Sequence, residues 1–185
     1  MRKLSLWDVI YAFDLSVACA ISYLVATELL DRLVDQADTL LGGMWAVVAT
    51  LFVFRETREG SVSAGVARLI ATCVSFVLCF IYIAMFSVNV AGIGIVIGLG
   101  TIVMMMLQRR DDIVTTGITT TVVLVVAALD PQHALAQPPL RLLDTIVGVA
   151  IGVLLKWAAS YAVALAGITP VSGEPGRPAG KRMSA

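Results

Sequence analysis

The sequence predicts an all-α polytopic membrane protein, six transmembrane helices as two inverted three-helix repeats with both termini cytoplasmic. Three observations carry that expectation. Of 185 residues, 59% are hydrophobic and only 14% charged, whereas soluble domains run near 25% charged. A soluble core of this size leaves roughly 30% of its unfolded-chain surface in water, so the apolar excess needs lipid. The apolar residues also fall into six runs, and the second half of the chain echoes the first at an offset of 73 residues (68 to 141).

The runs are Val9–Leu30, Thr39–Phe54, Ala64–Phe86, Val90–Leu107, Ile113–Leu129 and Leu142–Leu165. A spanning helix needs about 20 apolar residues. The first run follows Met1-Arg2-Lys3 as a signal peptide would. It carries Asp14 and continues to Leu30 without a small-residue cleavage site, so it reads as a retained helix. The second run reaches only ~24 Å at ~1.5 Å per residue and opens on Gly42-Gly43. The third is long. The fourth carries Gly92, Gly94, Gly98 and Gly100, and the sixth Gly148 and Gly152, spacings suited to close helix packing. The fifth is short and holds Gly117 among Thr115, Thr116, Thr119, Thr120 and Thr121. An amphipathic soluble bundle would show a polar face every 3.6 residues, and Val122–Leu129 shows none.

Basic residues set the orientation. With the N-terminus inside, the cytoplasmic segments hold Arg2, Lys3, Arg55, Arg58, Arg68, Arg109, Arg110, Lys156, Arg177, Lys181 and Arg182, and the outside connections only Arg32 and Arg141. Trp7 with Tyr11, and Trp157 with Tyr161, fit an aromatic belt at the inner boundary. The membrane domain covers residues 1–168, with repeats at about 6–86 and 87–165. Residues 169–185, rich in Pro and Gly, read as a flexible cytoplasmic tail.

The repeat rests on two octets. Arg68-Leu-Ile-Ala-Thr72-Cys-Val-Ser75 leads into the third span and Arg141-Leu-Leu-Asp-Thr145-Ile-Val-Gly148 into the sixth. Three helices is an odd number, so the halves run oppositely, a plan that recurs in transport proteins with the path between the halves. Ionisable groups inside spans are functional candidates. Arg68 and Arg141, each expected near a helix N-terminus, would form an anion-attracting collar at each mouth, with Asp144 partly neutralising the second. The alternative is that they are snorkelling anchors. Thr72 and Thr145 follow one turn later on the same faces. Thr116 and Thr120 share a helix face, either lining the path or bonding helix carbonyls. Asp14 and Lys156 both fall toward the cytoplasmic side and form a candidate intramembrane charge pair.

Other chemistries lack their residues. Cys19, Cys73 and Cys79 lie inside apolar runs and read as packing residues. A lone His133 rules out a multi-histidine site, and no nucleophile–base set, phosphate loop or metal spacing appears. No cofactor and no enzymatic activity are expected. Net charge is zero, and no basic stripe points to nucleic acid.

Met44-Trp45-Ala46 with Thr50, Arg68 with Thr72 and Ser75, and Arg141-Leu-Leu-Asp144-Thr145 with Gly148 and Gly152 together resemble the fusaric acid resistance/aromatic acid exporter (FUSC-like) family. The likeness covers roughly Leu6 to Leu165, the family's six-helix membrane block. It implies a multi-pass protein of the bacterial inner membrane that exports aromatic or other carboxylic acids. The plant aluminium-activated malate transporters resemble the same block and act as dimeric anion channels. Family exporters carry a large cytoplasmic domain, and the family-like glycine before Thr72 is Ala71 here. A lone block leads to the expectation of a homo-oligomer, with a dimer favoured. The expected function is a permease or channel for small organic anions in the lipid bilayer. A non-transporting scaffold or subunit of a larger membrane complex is the alternative.

The orientation is testable. With native cysteines replaced, single cysteines at Gln36 and Gln137 should react with an impermeant reagent in intact spheroplasts. Reaction only after lysis would reverse the topology.

Overall fold

The computed structural model describes residues 6–32, 34–55 and 57–165, and among these the regular structure is entirely helical. The helices are α1 (Leu6–Leu30), α2 (Gln36–Val53), α3 (Arg58–Met85), α4 (Val90–Met106), α5 (Ile113–Leu129) and α6 (Gln137–Leu165). Single 3-10 turns, Arg110–Asp112 and Ala134–Ala136, lead into the last two. Five helical segments are long and apolar enough to cross a membrane, and α4 with 17 residues is shorter. The side chain of Trp7 and the tail expected from Thr169 lie outside the described residues.

Side-chain caps fix three helix starts. Asp35 accepts from Asp38 N, Thr57 from Gly60 N and Asn89 from Gly92 N, each satisfying an amide that the first turn leaves without a partner. Caps carry α2 and α3, and a 3-10 turn carries α6, beyond the starts of their apolar runs. Helix α2 begins at Gln36 instead of Thr39, α3 at Arg58 instead of Ala64, and α6 at Gln137 instead of Leu142. Arg68 consequently lies about 15 Å along α3, and Arg141 about 6 Å along α6, at ~1.5 Å per residue. A helix dipole acts within the first turn, so the expected N-terminal dipole does not operate at Arg68. At its far end α4 closes with Gln108 in the left-handed region, φ 59°. Gln108 N donates to Met105 O and Arg109 N to Met104 O, the paired bonds of a Schellman cap.

Two polar rivets set the packing. Helices α2 and α6 run parallel, with Gly42 against Asp144 and Gly152 against Thr50 and Val53. Between those contacts, Thr50 Oγ1 lies 2.8 Å from Ser22 Oγ, 3.0 Å from Ala46 O and 3.0 Å from Gly148 O. One hydroxyl has one proton and two lone pairs, so Thr50 donates to a carbonyl while Ser22 can donate to it. Helices α3 and α5 are also parallel. Ser75 Oγ donates to Thr116 O at 3.0 Å, and Thr120 Oγ1 donates to Ser75 Oγ at 3.1 Å.

The apolar cores follow the same division. Ala26, Leu30, Ala46 and Leu140 join α1 and α2 to the start of α6. Cys79, Val96, Val123 and Leu124 join α4 and α5 to α3. Each consecutive pair, α1–α2 or α4–α5, therefore packs on the third helix of the other half. Helices α3 and α6 touch each other at the centre, where Gly65 faces Val149 and Val153. The remaining contacting helix pairs are α1·α6, α3·α4, α2·α3 and α5·α6.

Glycine matters most at Gly148, where an added Cβ would meet the carbonyl oxygen of Ala46. Gly92 abuts the Tyr82 ring and Gly100 lies against Thr116 and Leu78. Gly94 and Gly98 face open space, so the close packing expected of them is not made within the chain. Gln137 is buried and bonded to Asp38, which makes exposed Gln132 the better labelling position in that connection.

Gly148→Ala should destabilise the protein, because a backbone neighbour cannot move aside and overpacking costs about 1–3 kcal/mol or more. Thermal unfolding in detergent should show a clear fall in Tm. Gly94→Ala should leave Tm unchanged or slightly raised. Equal effects at the two positions would refute this account of the α2–α6 contact.

Candidate anion site

Arg68 reaches from α3 toward α2 and is only 2% exposed. Its guanidinium carbon lies 5.6 Å from the centre of the Trp45 ring and 4.7 Å from that of Phe52. Those two rings are seven residues apart, two turns along one face of α2, and they form an aromatic wall for the cation. Such contacts are worth about 2 kcal/mol when desolvated. They do not use the N–H groups, and Nε, Nη1 and Nη2 all lack a hydrogen-bond partner among the described residues.

Two further buried donors share this condition, Trp45 Nε1 and Thr72 Oγ1. A helical threonine ordinarily donates to the carbonyl four residues back. Thr145 does so, to Arg141 O at 2.8 Å, whereas Thr72, at the equivalent place after Arg68, does not. An unsatisfied buried polar group costs about 1–3 kcal/mol, and more when charged. A guanidinium and an indole brought together where α3 meets α2, with the Thr72 hydroxyl one turn after Arg68 and no carboxylate in an ion pair to Arg68 among the described residues, match the chemistry of an anion-binding site.

Arg141 sits in a different setting. It is 1% exposed and Asp144 is fully buried, with Arg141 Nη1 2.9 Å from Asp144 Oδ2. The pair is close but poorly aligned, since neither carboxylate oxygen accepts a well-directed hydrogen bond. The Gly42 backbone makes room for this carboxylate, because a Cβ there would come within 2.8 Å of Asp144 Oδ1. Gln137 Nε2 donates to Asp38 at 3.1 and 3.3 Å, and the charge of Asp38 acts on both Arg141 and Asp144. Neither arginine is an exposed snorkelling anchor, and salt screening of surface charge does not describe them.

The other expected residues fall elsewhere. Thr116 and Thr120 are buried. Their protons are committed to Asp112 O at 3.0 Å and Ser75 Oγ at 3.1 Å, which suits interhelical packing. Asp14 is half-buried on α1, and no ion pair joins it to Lys156 among the described residues. The Lys156 ammonium lies instead over the rings of Tyr11, at 5.4 Å, and Phe54, at 5.2 Å. Among the described residues no group of three or more His, Cys, Asp or Glu could hold a metal ion. In the loop before α6, His133 Nδ1 lies 2.8 Å from Asp130 Oδ2. That hydrogen bond raises the exposed imidazole above its usual range and lowers the carboxylate below its own. An apolar groove between α3 and α4, lined by Leu78, Tyr82, Ile95 and Leu99, contains neither arginine.

Sequence reasoning missed Trp45, Phe52, Asp38 and Gln137 as members of these clusters. Trp45 had a signal, as a tryptophan deep in a span and seven residues before a second aromatic. The pairing of Asp38 with Gln137 crosses 99 residues, and no spacing announces it.

A comparison with known families matches residues 17–155 to the fusaric acid resistance protein-like family. No curated protein and no solved structure matches the chain.

Proposed function

The chain belongs to the fusaric acid resistance protein-like family, and on that premise we propose that it is a permease or channel carrying small organic anions across the bacterial inner membrane. Carboxylic acids, aromatic ones included, are the proposed cargo, and export the proposed direction. The carrying observation is the buried guanidinium of Arg68, with three N–H-bearing nitrogens that bond to no acceptor among the described residues. A carboxylate there would take two parallel hydrogen bonds from the guanidinium fork. Trp45 Nε1 and Thr72 Oγ1 add two donors, and the Trp45 and Phe52 rings offer an apolar surface to the rest of the molecule. A scaffold has no need of a buried, unpaired arginine.

The helix pairing supports an inverted repeat. Exchanging α1 with α4, α2 with α5 and α3 with α6 maps every contacting helix pair onto a contacting pair, with α3·α6 mapped onto itself. The octets behave likewise, since Ser75 bonds α3 to α5 and Gly148, its counterpart, bonds α6 to α2. Under that symmetry Arg68 and Arg141 serve opposite sides of one path, Arg68 on the cytoplasmic side. We further propose a homo-oligomer, a dimer in the simplest case, and no catalytic chemistry.

Arg68→Gln in purified protein reconstituted in liposomes should reduce benzoate efflux roughly 10-fold or more, as expected for loss of a charged hydrogen-bond donor at about 1.5–3 kcal/mol. Arg68→Lys should recover only part of the flux, because an ammonium cannot make the bidentate contact. Thr116→Val with Thr120→Val should lower stability while sparing the flux per folded protein. Wild-type flux in a folded Arg68→Gln protein would remove Arg68 from the path, and absence of anion flux in the wild-type protein would leave the scaffold as the better reading.

A further inference from the structure

The two arginines are equivalent in the repeat but differ one turn later. Asp144 follows Arg141, and the residue 73 positions earlier, after Arg68, is Ala71. Both positions are fully buried. At Arg141 the chain thus supplies a carboxylate of its own, in the place where Arg68 leaves its donors open.

We infer that Asp144 is an internal competitor for Arg141, so that an anion reaches Arg141 only as Asp144 takes up a proton. This rests on the reading of both arginines as anion contacts. The balance is simple. A proton from water bonds to a carboxylate oxygen of Asp144, the Arg141–Asp144 ion pair is broken, and an incoming carboxylate pairs with Arg141. One proton and one anion enter together, and the charge of the cluster does not change.

The surroundings suit that exchange. Asp144 is held by close contact with Arg141 instead of by aligned hydrogen bonds. Of the charged groups, Arg141 acts on it from its own helix and Asp38 from α2, and none from α1, α3 or α5 does so among the described residues. Asp38 is itself tied to Gln137 Nε2, and Gln137 Oε1 is a buried acceptor without a donor. A protonated Asp144 would leave Arg141 facing one nearby carboxylate, Asp38, already engaged by an amide. Among the described residues Arg68 has no such competitor, so binding there is not linked to a proton in this way. The device makes one mouth of the path acid-dependent and leaves the other indifferent.

Titration calorimetry with benzoate tests this on the purified Arg68→Gln protein, in which Arg141 remains. Binding should be about tenfold tighter or more near pH 5.5 than near pH 8, with about one proton taken up per anion, as linkage requires. Adding Asp144→Asn should make binding tight at both pH values and abolish proton uptake. In the converse arm, Ala71→Asp combined with Arg141→Gln should make binding at Arg68 acid-dependent, which keeps the idea falsifiable if Asp144→Asn does not fold. Benzoate binding to Arg68→Gln that ignores pH, or that Asp144→Asn leaves weak, overturns the inference while the anion-permease reading stands. No binding by Arg68→Gln at either pH, with wild type binding normally, also overturns the inference alone. Failure of the wild-type protein to bind benzoate at all removes both.

Discussion

A guanidinium carried into an apolar helix bundle has to be compensated, and inside this bundle the compensation is unequal. An unpaired buried ion is costly unless something neutralises or solvates it. Arg141 has a buried carboxylate 2.9 Å away. Arg68 has two aromatic faces, which attract its charge but leave its N–H groups unused. Much of the bundle can be understood as the scaffold that holds Arg68 in that condition. Trp45 and Phe52 are presented by α2, and α2 is fixed by the Thr50 hydroxyl and by the Gly148 backbone of α6. Without that close approach the aromatic wall would not be held against α3.

The exchange of third helices gives the same parts a second use. Because α1–α2 packs on α6 and α4–α5 on α3, the two halves interlock through the central α3–α6 contact. A displacement of α6 would act at once on Gly148, on Gly42 and on the Arg141–Asp144 pair. The charged cluster and the packing rivet lie on one helix, about one turn apart, so a change in one bears mechanically on the other. The central contact of α3 and α6 joins the two three-helix halves directly.

Much of the fold was legible in the sequence, for reasons of solvent. The hydrocarbon demands long apolar helices with internally bonded backbones, and that demand writes all six runs plainly. Helix starts were less legible, because Arg58–Ser63 and Gln137–Arg141 are polar and carry no hydropathy signal. For the first of these the capping residue Thr57 was the available sign. The site divided along similar lines. Arg68 and Arg141 stood out as charges in spans, each opening one of two similar octets. Burial did not follow from the sequence, since an arginine near a span end snorkels as readily as it packs. Nor did the fate of each hydroxyl. Thr72 and Thr145 look alike in sequence, yet Thr145 bonds its own helix and Thr72 does not.

The central claim is that Arg68, with Trp45 and Thr72, is a binding place for a carboxylate and not merely a buried strut. Diffraction at the bromine edge from crystals soaked in 4-bromobenzoate tests it directly. The account predicts a bromine peak beside the Trp45 and Phe52 rings, with the carboxylate in hydrogen-bond contact with the Arg68 guanidinium. Bromine density confined to the lipid-facing surface, with the α2–α3 contact unoccupied at saturating ligand, would contradict it.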